Sequence, residues 1–86
     1  MTNQEIESLI KDALVCNEVS VNGDGSHFEA RVVSSDFEGK RPVQRQQAVY
    51  ATLNQHIASG AIHALTIKAF TPQEWEKAKK LQIGSL

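Results

Sequence analysis

Residues 18–33 read EVSVNGDGSHFEARVV, and this run decides the architecture. Val19 and Val21 alternate with Glu18, Ser20 and Asn22; beyond the turn, Phe28, Ala30 and Val32 alternate with Glu29 and Arg31. A period of two puts successive side chains on opposite faces of a strand, so each half has one apolar face. Between them, Gly23-Asp24-Gly25 is turn chemistry, because glycine takes up positive φ without steric cost. An antiparallel hairpin is predicted.

On the N-terminal side, Ile6, Leu9, Ile10, Ala13 and Leu14 form the single apolar stripe of a helix. Thr2 and Glu5 have capping-box spacing and place its start near residue 3. On the C-terminal side, Asp36 to Pro42 reads as a loop containing Gly39, with Pro42 suited to the first turn of a second helix. That helix is expected over 42–59, with Val43, Tyr50, Leu53 and Ile57 buried and Gly60 ending it. A third strand follows over about 62–70, with Leu65, Ile67 and Ala69 on one face. Thr71-Pro72-Gln73-Glu74 supplies cap, proline and glutamate for a last helix, which Trp75 should anchor. In that helix Glu76 and Lys80 suit an i, i+4 pair. The order α-β-β-α-β-α implies an α+β sandwich, a three-stranded sheet with helices over one face. If the third strand is parallel to its neighbour, the helical crossover should be right-handed.

The 86 residues suffice for one domain, with a core over about 4–80 and a frayed tail over 81–86. With 41% hydrophobic and 22% charged residues the chain has an ordinary globular composition. No apolar run approaches the ~20 residues of a membrane span, and Met1 to Glu5 has no secretory-signal character. The single cysteine, Cys16, cannot form an internal disulfide, which fits the reducing cytoplasm. Residues 1–38 carry eight acids and two bases, and residues 39–86 carry two acids and seven bases. The halves either neutralise each other on folding, or the basic half meets an acidic partner or nucleic acid. The near-neutral total argues against strong non-specific DNA binding.

Enzymatic chemistry is not expected. Ser26, Ser34 and Ser35 have no positioned base, no phosphate-cradling glycine loop is present, and no carboxylates are spaced as an acid–base pair. Three histidines and one cysteine, without C-x-x-C or H-x₃₋₅-H spacing, cannot close a zinc or iron–sulfur site within the chain. No cofactor is therefore expected in the isolated chain.

Four segments resemble the BolA family, in particular its YrbA/IbaG branch: Gly23-Asp24-Gly25-Ser26-His27-Phe28, Phe37-Glu38-Gly39-Lys40, Ile62-His63-Ala64-Leu65 and Thr71-Pro72-Gln73-Glu74-Trp75. They occur in family order and spacing, within about residues 4–80. The resemblance implies a KH-like fold of the second topological type. It also implies association with a monothiol glutaredoxin and glutathione around a shared 2Fe–2S cluster, with a role in iron homeostasis or stress response. Some members of the family are described as DNA-binding regulators. The chain departs from the family in having Arg45-Gln46 where Arg-His is common, as is typical of the branch. Some relatives carry a cysteine in the loop before the second strand; here that loop has His27, and Cys16 does not match the position.

His63 opens the third strand, in parity with Leu65 and Ile67, at the rim of the sheet. From its residues alone it is either a strand-end histidine capping a carbonyl or an imidazole presenting one nitrogen outward. The resemblance implies the principal cluster ligand. His27 belongs by parity with Glu29 and Arg31, as a solvated strand residue or, by the resemblance, an additional or alternative ligand. His56 reads as surface. Imidazole in place of a thiolate would raise a cluster's potential and make its binding pH-dependent near histidine's ordinary pKa of ~6.5.

Gly39, Lys40, Arg41 and Arg45 form a basic patch. It lacks the second glycine of a KH clamp, and Pro42 removes an amide donor. The patch is either a solvated loop or a surface for a partner's carboxylates; in the latter case Phe37, Gly39, Lys40 and Arg45 lie near the contact. The alternative function, a nucleic-acid-binding transcriptional regulator, would use Lys40, Arg41 and Arg45.

Overall fold

The computed structural model describes the backbone of residues 1–84 and the side chains of residues 1–81. Its elements are α1 (Asn3–Ala13), β1 (Glu18–Gly23), β2 (His27–Val33), a 3-10 turn (Ser35–Phe37), α2 (Pro42–Ala58), β3 (Ala64–Phe70) and α3 (Pro72–Gly84). The predicted order holds. Local chemistry sets the ends: the Thr2 hydroxyl accepts the Glu5 N–H at 3.1 Å while the Glu5 carboxylate accepts the Thr2 N–H at 3.0 Å. The Thr71 hydroxyl and Glu74 carboxylate repeat this exchange at the start of α3, at 3.2 and 2.9 Å. Gly60, at φ +84°, turns the chain out of α2 as expected.

The sheet order is β1-β2-β3. The β1–β2 hairpin is antiparallel, with Glu18 opposite Val33 and Gly23 opposite Phe28. β3 runs parallel to β2, with His27 opposite Ala64 and Val33 opposite Phe70. Parallel neighbours require a crossover, and α2 supplies it. The inner face carries Val19, Val21, Phe28, Ala30, Val32 and Ile67, which pack on Ile6 and Ile10 of α1 and Val49 and Leu53 of α2. Each fully buried aliphatic side chain of this kind is worth about 1.5–3 kcal/mol.

Several expectations need correction. Val43 is not buried but 57% exposed; the α2 residues sealed in the core are Val49 and Leu53, with Tyr50 and Ile57 packed against them. α3 does not join the inner layer: Trp75 reaches the outer face, 5.5 Å from Phe70 and 4.1 Å beneath the Arg31 guanidinium. β3 starts at Ala64 rather than near Ile62, because Ile62 turns into the core and its N–H bonds the His56 carbonyl. Glu76 pairs with Lys79 instead of Lys80. α3 extends to Gly84, so the tail set off from Leu81 begins within that helix, and its last two residues, 85–86, lie outside the described residues.

Candidate functional site

The two sequence-selected histidines meet at one end of the sheet. His27 is the first residue of β2 and stands opposite Ala64, the first residue of β3; His63 immediately precedes Ala64. The Ala64 N–H donates to the Ser26 carbonyl at 3.2 Å, tying the residue after one histidine to the residue before the other. Both histidines are exposed. His63 lies in the bend before the strand, so strand parity does not fix its direction.

Asp24 anchors the His27 side of this end. One of its carboxylate oxygens accepts the backbone N–H groups of both His27 and Ser26 at 3.0 Å. Those bonds, His27's first, hold the Asp24 carboxyl below the usual carboxylate range. An open hollow of about 390 Å³ lies elsewhere, between α1 and His56 of α2; His56 itself is half-buried rather than plainly surface. A comparable hollow of about 380 Å³ borders His27, Asp24 and Thr66.

The other sequence-selected residues are at the far end of the parallel pair, a strand length of about 20 Å away. There β2 leads into the 3-10 turn and the loop carrying Gly39, while β3 leads into α3. Phe37 is only 2% exposed and belongs to the core, so it supports this loop from beneath and offers a partner no surface. Gly39 adopts φ +77°, which its lack of a side chain permits. Lys40 and Arg41 are exposed. Arg45 is not a free cation: its side chain is 11% exposed, its Nε donates to the Lys40 carbonyl at 3.0 Å, and its two terminal nitrogens grip the Glu74 carboxylate. The sequence reading missed this partner, 29 positions away, because no local spacing signals it. On the outer sheet face Arg31 pairs with Glu18 and Lys68 with Glu29. The Glu29–Lys68 pair joins the acidic and basic halves of the chain.

Among the described residues, no three histidine, cysteine or carboxylate side chains are grouped to hold a metal ion. Cys16 is half-buried, and that burial pushes its thiol pKa up, away from a ready thiolate. The histidine end thus offers at most two imidazoles. Imidazole is a donor that iron–sulfur centres accept beside thiolates, so these residues fit part of such a coordination set.

No helix among the described residues is long and apolar enough to cross a membrane. The family profile described as BolA-like protein matches residues 5–74. The acid stress protein IbaG of Escherichia coli K12 is 48% identical over 81 residues, 94% of this chain and 96% of the relative. A BolA protein homologue from Coxiella burnetii superposes with a TM-score of 0.79 at 42% identity, over 88% of this chain and 97% of that one. The BolA domain of SufE1 from Arabidopsis thaliana does so at 0.74 and 32% identity, over 84% and 93%. With its sequence matched over most of its length and its mixed sheet shared with solved relatives, this chain belongs to the BolA family.

Proposed function

We propose that this chain is a non-enzymatic cytoplasmic adaptor that pairs with a monothiol glutaredoxin and its glutathione, sharing a 2Fe–2S cluster in iron–sulfur and iron homeostasis and in the acid stress response. The observation that carries the reading is the pairing of His27 and His63 at the starts of neighbouring strands, both exposed, with no third donor grouped beside them among the described residues. Such an end completes a coordination set only with a second polypeptide. His63 is the principal ligand and His27 an additional or alternative one, held in place by Asp24. When bound, the cluster supplies the redox and iron-carrying chemistry. The chain's own part is to present neutral imidazole nitrogen where the partner would otherwise use thiolate or solvent. The acid stress relative and the BolA domain of SufE1, named as one domain of another protein, support a partner-dependent stress role.

Nucleic-acid binding is less well supported. Of its three cations, Arg45 is neutralised by Glu74, leaving Lys40 and Arg41. The test is to add this chain to a monothiol glutaredoxin loaded with a 2Fe–2S cluster and record visible circular dichroism. A new spectrum that His63→Ala removes is expected. A spectrum unchanged by the chain, or changed equally by His63→Ala, overturns the reading.

A further inference from the structure

The three-stranded sheet has two edges, and the helices guard them differently. In β1 the residues bonded to β2 are the even-numbered ones, so Val21 points its N–H outward; the Glu7 carboxylate of α1 accepts it at 3.0 Å. In β3 the Ala64 N–H and the Phe70 carbonyl face β2, so alternation turns the main chain of Leu65, Ile67 and Ala69 to the open edge. The Tyr50 hydroxyl of α2 donates to the Leu65 carbonyl at 3.2 Å. Beyond it, among the described residues, nothing outside the sheet bonds the N–H or carbonyl of Ile67 or Ala69.

An open edge is normally blunted by charge, often by lysine. The one charged side chain of β3, Lys68, is drawn the other way, across the outer face to Glu29 at 2.7 Å. The edge therefore keeps a donor–acceptor ladder two residues long, at Ile67 and Ala69, closed on the histidine side by Tyr50. It runs alongside the strand that His63 precedes, with Ile67 about 10 Å from Ala64.

We infer that the β3 edge is the docking rail for the partner of the histidine end: an extended segment of the glutaredoxin adds to the sheet beside Ile67 and Ala69. This rests on the proposed function and specifies how the partner is held. Main-chain bonds give the segment its register, and a hydroxyl side chain on its outer face suits the neighbourhood of Thr66. Tyr50 stops the added strand at Leu65, leaving the space in front of His63 for the shared ligand rather than for backbone. A rail of this kind also links the histidine end to the Gly39–Lys40 end, which one small patch could not do.

The test is residue-resolved amide exchange of the full chain, alone and with the cluster-loaded glutaredoxin. The Ile67 and Ala69 amides should exchange freely in the isolated chain and slow at least tenfold in the complex. Those of Thr66 and Lys68, already in the ladder, should change little. Ala69→Pro removes an outward donor while leaving the β2–β3 ladder bonds their donors, and, with protection at Thr66 and Lys68 showing that the partly buried site still folds, is expected to weaken the complex at least tenfold. His63→Ala should lose the spectral signature yet keep protection at Ile67 and Ala69. A His63-dependent spectrum without new protection at these two amides overturns the rail and leaves the cluster reading standing. Protection with a spectrum indifferent to His63 does the reverse. Protection that appears in the isolated chain and grows with its concentration assigns the edge to a second copy and overturns the inference, as does failure to form any complex.

Discussion

Arg45 of α2 and Glu74 of α3 face each other in a two-pronged ion pair, at 2.5 and 3.3 Å, that closes the loop end of the sheet. The same carboxylate accepts the Thr71 N–H and so caps α3. Glu74→Gln keeps the cap but loses the charge, and should cost about 0.5–1 kcal/mol, because the carboxylate is half-exposed. Glu74→Ala should cost about 1 kcal/mol more through the lost cap. Urea denaturation checks both. The Arg45 guanidinium, followed by the Thr71 N–H, holds the Glu74 carboxyl below its ordinary value of 4.5. A depressed folded-state pKa contributes stability above the unfolded value and loses it as pH falls through the folded one. The gap between wild type and Glu74→Gln should therefore be full at neutral pH and close in acid below pH 4.5. A gap independent of pH would mean the pair contributes through shape, not charge.

Gly23 closes the hairpin that presents His27. A Cβ there would collide with the His27 carbonyl oxygen and lie 2.6 Å from Phe28 Cδ1. The obstacle is backbone and a buried ring, which cannot swing away, so Gly23→Ala should cost about 2–3 kcal/mol and displace the His27 amide resonance. Gly25 has φ +100° with open space around it, so Gly25→Ala meets only backbone strain of about 1–2 kcal/mol. Equal unfolding midpoints for the two variants would contradict this ordering.

Which features the sequence disclosed follows from the range of the forces involved. The Ile6–Ile10 stripe, the 23–25 turn and the Thr2 and Thr71 caps depend on residues within four positions of each other, and all could be read. Val43 could not. It sits one heptad before Tyr50 and shares its side of the helix, but at the first turn of α2 it stays largely exposed. The meeting of His27 with His63 needed the parallel register of β2 and β3, which the strand patterns leave open. The neutralisation of Arg45, the burial of Phe37 and the guarding of the edges by Glu7 and Tyr50 are tertiary contacts with no sequence spacing of their own.

Because His27 and His63 are exposed, a ligand role predicts that neither ring supports the fold. His27→Ala and His63→Ala should each change the unfolding free energy by less than about 0.5 kcal/mol. A loss above about 1 kcal/mol for His63→Ala would instead favour a strand-end histidine that caps a carbonyl.

Trp75 and Arg31 separate burial from charge on the outer face. Trp75 is 8% exposed between Phe70 and the Arg31 guanidinium, so Trp75→Ala should cost about 3 kcal/mol or more. Arg31 behaves differently. Its stack on Trp75 is worth about 0.5–1 kcal/mol, and its half-exposed pair with Glu18 no more than about 1 kcal/mol. Against these, its Nε is buried with no hydrogen-bond partner, a loss of about 1–3 kcal/mol. Arg31→Met keeps the stem over the indole, removes the orphan donor and gives up the charge, so the opposing contributions nearly cancel. The variant should unfold within about 1 kcal/mol of wild type. Calorimetry of both variants decides the matter: a loss for Arg31→Met approaching that of Trp75→Ala would show that the buried Nε has a partner in solution.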